Sequence, residues 1–275
     1  MRNYLLVTDE TNRDPSDESR FFIYGGCIVP TEEAPKIHQS IESIRMRAGY
    51  PADIALKFDS RSRPNAVTIE VFTNMKKAVV ELARDHGVKF IAELILHDII
   101  RDRSYEERVL FALKTLCSQF QIFLLGADGF GQVVSDRTEH ILDLFKEIHC
   151  RGVQPRADDG GFEARLTRIW QFSVSSTNCG HLMSMVDIIL GSFRFCINRP
   201  TADVSRTMFD QLLPLLPGVP TQEDFQDGTG LLLRPKHVEV RTYIDEYSRL
   251  RRDIVALVSG GTRTEETTDD ERAPW

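Results

Sequence analysis

The sequence has no apolar stretch approaching the roughly 20 residues that span a bilayer. Its opening, MRNYLLVTDE, has one Arg and too short an apolar run for a signal peptide. Neither a membrane protein nor an exported one is expected. Cysteine is scarce: the five residues (Cys27, Cys117, Cys150, Cys179, Cys196) are odd in number and form no C-x-x-C pair. That excludes a disulfide framework and a zinc ribbon. Cys27, Cys117 and Cys196 sit in apolar runs and read as small core hydrophobes, with a reducing cytoplasm as the expected compartment. No Walker-type phosphate loop is present, because Gly126–Gly131 (GADGFG) lacks the Lys-Ser/Thr that would follow. No G-x-S-x-G elbow supports a hydrolase triad, and no internal repeat is seen. An excess of positive charge is missing as well. The formal net charge is −7 and the pI about 5.6, which argues against coating nucleic acid by bulk electrostatics. An enzyme that binds phosphates through a local acidic metal site is not excluded. The segment 259–275 holds five acids against two Arg, so much of the charge lies outside the expected folded body.

What remains is the composition of a soluble globular protein: 275 residues, 41% hydrophobic and 27% charged. The length allows one large domain or two small ones. Apolar and β-branched runs at 4–11, 21–30, 88–96, 131–136 and 165–173 predict strands, the first two joined by a polar loop at 12–20 as an antiparallel pair. Helical spacing and end signals predict helices over 32–48, 65–85, 104–125, 138–150, 181–198, 203–215 and 241–258. Residues 151–162 and 217–230 read as polar loops, and 259–275 as a disordered tail. The alternation makes an α/β domain with a mixed sheet of about five strands. Three units are expected: 1–198 as the α/β domain with helical insertions, 199–258 as a helical extension packed on it, and the tail. The apolar stripe Tyr243, Tyr247, Leu250, Ile254 and Leu257 packs on its own core or against a second copy, as a homodimer.

Three carboxylates stand where an apolar element should not have one. Asp9 follows Leu5, Leu6 and Val7; Asp136 ends GQVVSD; Asp187 lies between Met185, Val186, Ile188 and Ile189. An unpaired buried carboxylate costs several kcal/mol even after relaxation, so each needs a cation, a hydrogen-bond network or water. If the strands of Asp9 and Asp136 are adjacent and parallel, both acids emerge at one sheet edge. Asp187 reaches that edge from a helix packed across the sheet, with Gly191 allowing close approach. Three converging carboxylates select a hard cation, Mg²⁺ or Mn²⁺, and a pair of such ions is suited to phosphodiester hydrolysis. Taken singly, Asp9 also reads as a turn residue, Asp136 as a helix N-cap, and Asp187 as a salt-bridge partner of Arg194. Glu10 points to the opposite face if its strand continues and is a further ligand only if the chain turns at once. Lys57 in ALKF balances the acids, contacts a phosphate, or is simply exposed. Glu93 alternates with apolar neighbours and faces either way. His181 orients a water or phosphate, or belongs to a helix cap.

These residues resemble the widespread, largely prokaryotic domain of unknown function 3800 family. Its opening strand ends in an Asp-Glu pair and a small residue, matched by Thr8-Asp9-Glu10-Thr11. Tyr24-Gly25-Gly26-Cys27-Ile28-Val29 is similar to its second strand, Leu56-Lys57-Phe58 to its lysine element, and Leu182 to Gly191 to its last helix, with Met183 in place of the usual Gln. The likeness covers roughly residues 4–198, and the Leu232–Lys236 segment is similar to some members. It implies a ribonuclease H-like fold, with helices on both faces of the sheet, and Mg²⁺- or Mn²⁺-dependent nuclease chemistry. Asp9, Asp136 and Asp187 would be the metal ligands, Asp9 bridging both ions. The expected function is therefore a metal-dependent nuclease acting on DNA or RNA. The alternative is a catalytically inactive nucleic-acid-binding or protein-interaction module on the same fold. A haloacid dehalogenase-type phosphotransferase wants a second Asp where Thr11 stands.

Overall fold

Two runs rich in aromatic and β-branched residues fold back on each other across a polar loop. Arg2–Thr11 (β1) pairs antiparallel with Phe21–Pro30 (β2), from Tyr4 opposite Pro30 to Thr11 opposite Ile23. The computed structural model describes residues 2–16, 18–138, 140–153, 165–176, 179–221 and 228–259. Lys89–Leu96 (β3) pairs antiparallel with β2. Gly129–Asp136 (β4) lies parallel to β1, and Ile169–Ser175 (β5) parallel to β4. A sixth strand, Leu231–Arg234 (β6), lies parallel to β3. The sheet order is β5-β4-β1-β2-β3-β6, with β2 alone running against the rest.

The sequence predicts about five strands, and the structure has six among the described residues. The extension after residue 198 is therefore not purely helical. Leu231 to Leu233 are too short and too uniformly apolar to show an alternating pattern. All three are buried, Leu231 and Leu233 towards one face and Leu232 towards the other, as in a strand covered on both sides.

Alternation along the strands feeds two cores. Val7, Ile23, Cys27, Phe90, Leu94 and Leu231 face one side, where they meet Ala34–Arg47 (α1), Ile69–Asp85 (α2), His181–Asn198 (α6), Asp203–Leu212 (α7) and Arg241–Ser259 (α8). Leu6, Phe22, Tyr24, Ile91, Val133 and Leu232 face the other, under Tyr105–Gly126 (α4) and Ile141–Arg151 (α5). A single turn, His97–Ile100 (α3), follows β3. Helices thus cover both faces. α4 starts at a complete capping box between Ser104 and Glu107. By length and composition alone α4 is apolar enough to cross a membrane, but its Val109, Leu113, Leu116, Phe120 and Leu124 face packs on the sheet.

The stripe on α8 (Tyr247, Leu250, Ile254, Leu257) is buried in this chain's own core, where the Tyr247 hydroxyl receives the Leu96 N–H at 3.0 Å. That answers the choice between own core and second copy for this stripe. α5 begins at Ile141 rather than 138, after His140 in a left-handed conformation. Gly160, Gly161, Thr177 and the tail from 260 lie outside the described residues.

Glu93 sits on the α4 side of β3, fully buried, with the Thr115 hydroxyl of α4 and Arg234 at the end of β6 as the polar groups that favour its charged form. Burial outweighs both and pushes its carboxyl up to about 8, which favours the protonated form at neutral pH.

Candidate acidic site at the sheet edge

Because β1 and β4 run the same way, with Thr8 opposite Ser135, the next residue of each strand is an acid at the same edge. Asp9 shares a face with Val7, and Asp136 with Val134, the face that α6 covers. β1 continues to Thr11 with Asp9 opposite Gly25, so Asp9 is not a turn residue. Asp136 is not the N-cap of α5, which starts five residues later and whose N-cap is His140. Asp187 sits midway along α6. Its Oδ2 accepts the Phe58 N–H at 2.6 Å, and it makes no ion pair within 4.0 Å with Arg194 among the described residues.

Two glycines set the depth of α6. Gly25, the cross-strand partner of Asp9, lacks a Cβ that would lie 2.7 Å from Leu190 Cδ1, so α6 rests directly on β2. Gly191 faces Phe58, not the sheet: a Cβ there would lie 2.4 Å from Phe58 Cγ and 2.5 Å from its Cβ. Phe58 thereby carries its flanking residues Lys57 and Asp59 to the carboxylate of Asp187. The Phe58 carbonyl receives the Lys76 Nζ at 3.3 Å from a buried position on α2. Helix propensity alone favours Gly191→Ala by about 1 kcal/mol. Overpacking against Phe58 reverses the sign, with an expected net loss of ~1–3 kcal/mol in urea unfolding. A Gly191→Ala variant as stable as the wild type would contradict this packing.

The result is a small cleft of ≈ 80 Å³ lined by Asp9, Glu10, Thr11, Lys57, Asp59, Asp187 and Arg194 together with Phe58, Leu190 and Gly191. It has room for a few waters or ions rather than a base. Four acids face two bases there, and the Asp9 carboxyl registers the imbalance. Burial first, then the charges of Glu10, Asp187 and Asp136, push it up to about 8 against one backbone N–H from Glu10. Burial also raises Asp187, and this is countered by the Phe58 N–H and by Lys57 and Arg194. Asp9 Oδ1 accepts from Glu10 N and Asp136 Oδ1 from Arg137 N, both at 2.9 Å. Each of the three acids thus spends one oxygen on a backbone amide, which fixes its orientation. Among the described residues the second oxygen of each has no hydrogen-bond partner.

Glu10 takes the opposite face, as expected for a strand that continues. It accepts from the Tyr105 hydroxyl on α4, while still lining the rim of the cleft. Lys57 lies between buried Leu56 and Phe58 and is partly exposed into the cleft. His181 lines no part of the cleft: its Nε2 is 2.7 Å from Glu42 Oε2 and its ring stacks on His38 at 4.6 Å, tying α6 to α1. Arg194 lies two helical turns beyond Asp187 on the same face of α6 and donates to Thr11 Oγ1 at 3.2 Å. Its place in the cleft was readable from the spacing of the two residues along one helix. Asp59 was not: it caps the short turn Ser60–Ser62 and pairs with Arg61 at 2.6 Å, with no periodicity to announce it.

Hard oxygen donors of this kind suit Mg²⁺ or Mn²⁺ in type, but Asp136 does not line the cleft that holds Asp9 and Asp187. Among the described residues no three His, Cys, Asp or Glu side chains stand close enough, as they are, to form a ready ligand set. No protein-family model and no curated protein matches the chain.

Proposed function

We propose that the protein is a divalent-metal-dependent phosphodiesterase acting on DNA or RNA, on a ribonuclease H-like fold. The observation that carries this reading is the placement of Asp9, partly buried in one cleft with Glu10, Asp59 and Asp187 and at the same sheet edge as Asp136, with no cation of the protein bonded to it. Such a cluster is costly without a positive ion and favourable with one. The order β5-β4-β1-β2-β3, with only β2 reversed and β6 added beyond β3, supports the fold, as do the motifs that resemble those of the domain of unknown function 3800 family.

Asp9, Asp136 and Asp187 would hold Mg²⁺ or Mn²⁺, which supplies a deprotonated water near neutral pH and charge stabilisation at the leaving oxygen. The chain's own residues do the rest. The backbone amides of Glu10, Arg137 and Phe58 hold the three carboxylates in fixed orientations. Lys57 and Arg194 supply the positive charge of the cleft and would receive phosphate oxygens, Arg194 with donors beyond the one given to Thr11. Asp59 holds Arg61, whose side chain is 90% exposed, at the rim. The net negative charge of the chain argues for local substrate contacts rather than a grip on long nucleic acid by bulk charge.

A second reading has its own observation. Asp187 already gives one oxygen to the Phe58 amide and no ready three-ligand group exists among the described residues, which favours a non-catalytic nucleic-acid-binding or interaction module. Incubating the protein with labelled single- and double-stranded DNA and RNA in Mg²⁺ and in Mn²⁺ separates the two. Cleavage that EDTA abolishes supports the phosphodiesterase. Binding without cleavage under any divalent ion supports the module.

A further inference from the structure

Between β1 and β4 the ladder ends at Thr8 opposite Ser135. Asp9 and Asp136 extend beyond that last pair, each held to its outer neighbour (Gly25 on β2, Ser175 on β5) but not to the other strand. Directly behind the last pair, on the α4 face, lies the hydroxyl of Tyr24. Its Oη is 3.1 Å from Thr8 Oγ1 and 3.2 Å from Ser135 Oγ, and Tyr24, Thr8 and Ser135 are all buried. One oxygen thus bridges both strands at the residues immediately before the two acids. The row is otherwise apolar or carboxylic: Tyr24 stands opposite Glu10 on one side and Glu93 on the other. A phenylalanine would fill the same space. A buried hydroxyl has to find partners, and this one takes both from the last pair of the β1–β4 ladder, adding a side-chain tie where the backbone pairing stops.

We infer that Tyr24 is a positioning residue whose hydroxyl, bonded to Thr8 and Ser135 from the opposite face, sets the spacing of Asp9 and Asp136. Its role in metal holding rests on the phosphodiesterase reading; the tie itself does not. Tyr24 touches no reacting atom and acts through the backbone of both strands, as partners behind a ligand shell generally do.

Tyr24→Phe removes the oxygen and keeps the ring. In the full-length metal-free protein, hydrogen exchange of the Glu10 and Arg137 amides, which bond the two carboxylates, is expected to rise severalfold. Mn²⁺ affinity followed by electron paramagnetic resonance is expected to fall about tenfold. Ile254→Val on α8, a small core truncation away from the site, leaves both readings at wild-type values. Should Tyr24→Phe fold poorly, Thr8→Val and Ser135→Ala each cut one arm and are expected to show the same two changes at smaller size. Unchanged exchange in Tyr24→Phe overturns the inference, as does an equal loss of Mn²⁺ affinity in Ile254→Val. Faster exchange combined with no Mn²⁺ binding by the wild type upholds the tie and sinks the phosphodiesterase reading instead.

Discussion

Asp9→Asn is expected to make the metal-free protein more stable at pH 8 and above, by on the order of 3–5 kcal/mol. The Asp9 carboxyl titrates near 3.8 when unfolded and at about 8 when folded, because burial and the neighbouring acids disfavour its charge. A raised folded value means that the folded state binds the proton more tightly. Its contribution is therefore full below about pH 4, is lost progressively as pH climbs towards 8, and stays lost above that. Asparagine keeps the shape and has nothing to ionise, so the variant lacks this slope. Glu93, raised in the same direction, contributes a similar slope to both proteins and cancels in the comparison. Denaturant melts of wild type and variant from pH 4 to pH 9 read the difference directly. The curves should coincide near pH 4 and diverge towards pH 8. A parallel pair would mean that Asp9 is not confined as described. Adding Mn²⁺ at pH 8 should restore stability to the wild type by preferential binding to the folded state and leave the variant unmoved.

Asp187→Asn is expected to lower cleavage by ~10²-fold or more, since losing charge stabilisation of several kcal/mol costs a factor of ten for each 1.36 kcal/mol. The fold should survive. The asparagine side-chain oxygen can still accept the Phe58 N–H now given to Asp187 at 2.6 Å, and the substitution removes a carboxyl already raised by burial. Retained cleavage, with a wild-type melting temperature, would remove Asp187 from the machinery. Lost cleavage together with a collapsed melting temperature would assign Asp187 a purely structural place beside Phe58.

Much of this arrangement was legible from residue pattern. α6 spans 181–198 as its spacing predicts, with Asp187 inside it. The edge shared by Asp9 and Asp136 follows from two apolar runs that each stop at an acid, once the strands pair in parallel. Glu10 turns away because alternation in a continuing strand leaves it no other face. What was not legible depends on contacts between segments distant in sequence. β6 is four residues long, and only its place beside β3 makes it a strand. Asp136 could read as a helix cap until α5 was seen to begin at Ile141. The sense of Gly191 was half readable: close approach was expected, but its partner is Phe58, from a loop far earlier in the chain. The Tyr24 hydroxyl carried no signal in sequence, because Thr8 and Ser135 become its neighbours only after three strands assemble.

Whether Asp9, Asp136 and Asp187 together hold a divalent ion is decided by Mn²⁺ titration of the wild type and of Asp9→Asn, Asp136→Asn and Asp187→Asn at pH 8, followed by electron paramagnetic resonance. Binding by the wild type that each single substitution weakens at least ~tenfold is the predicted result. Equal Mn²⁺ binding in all four proteins, or none in the wild type, would contradict it.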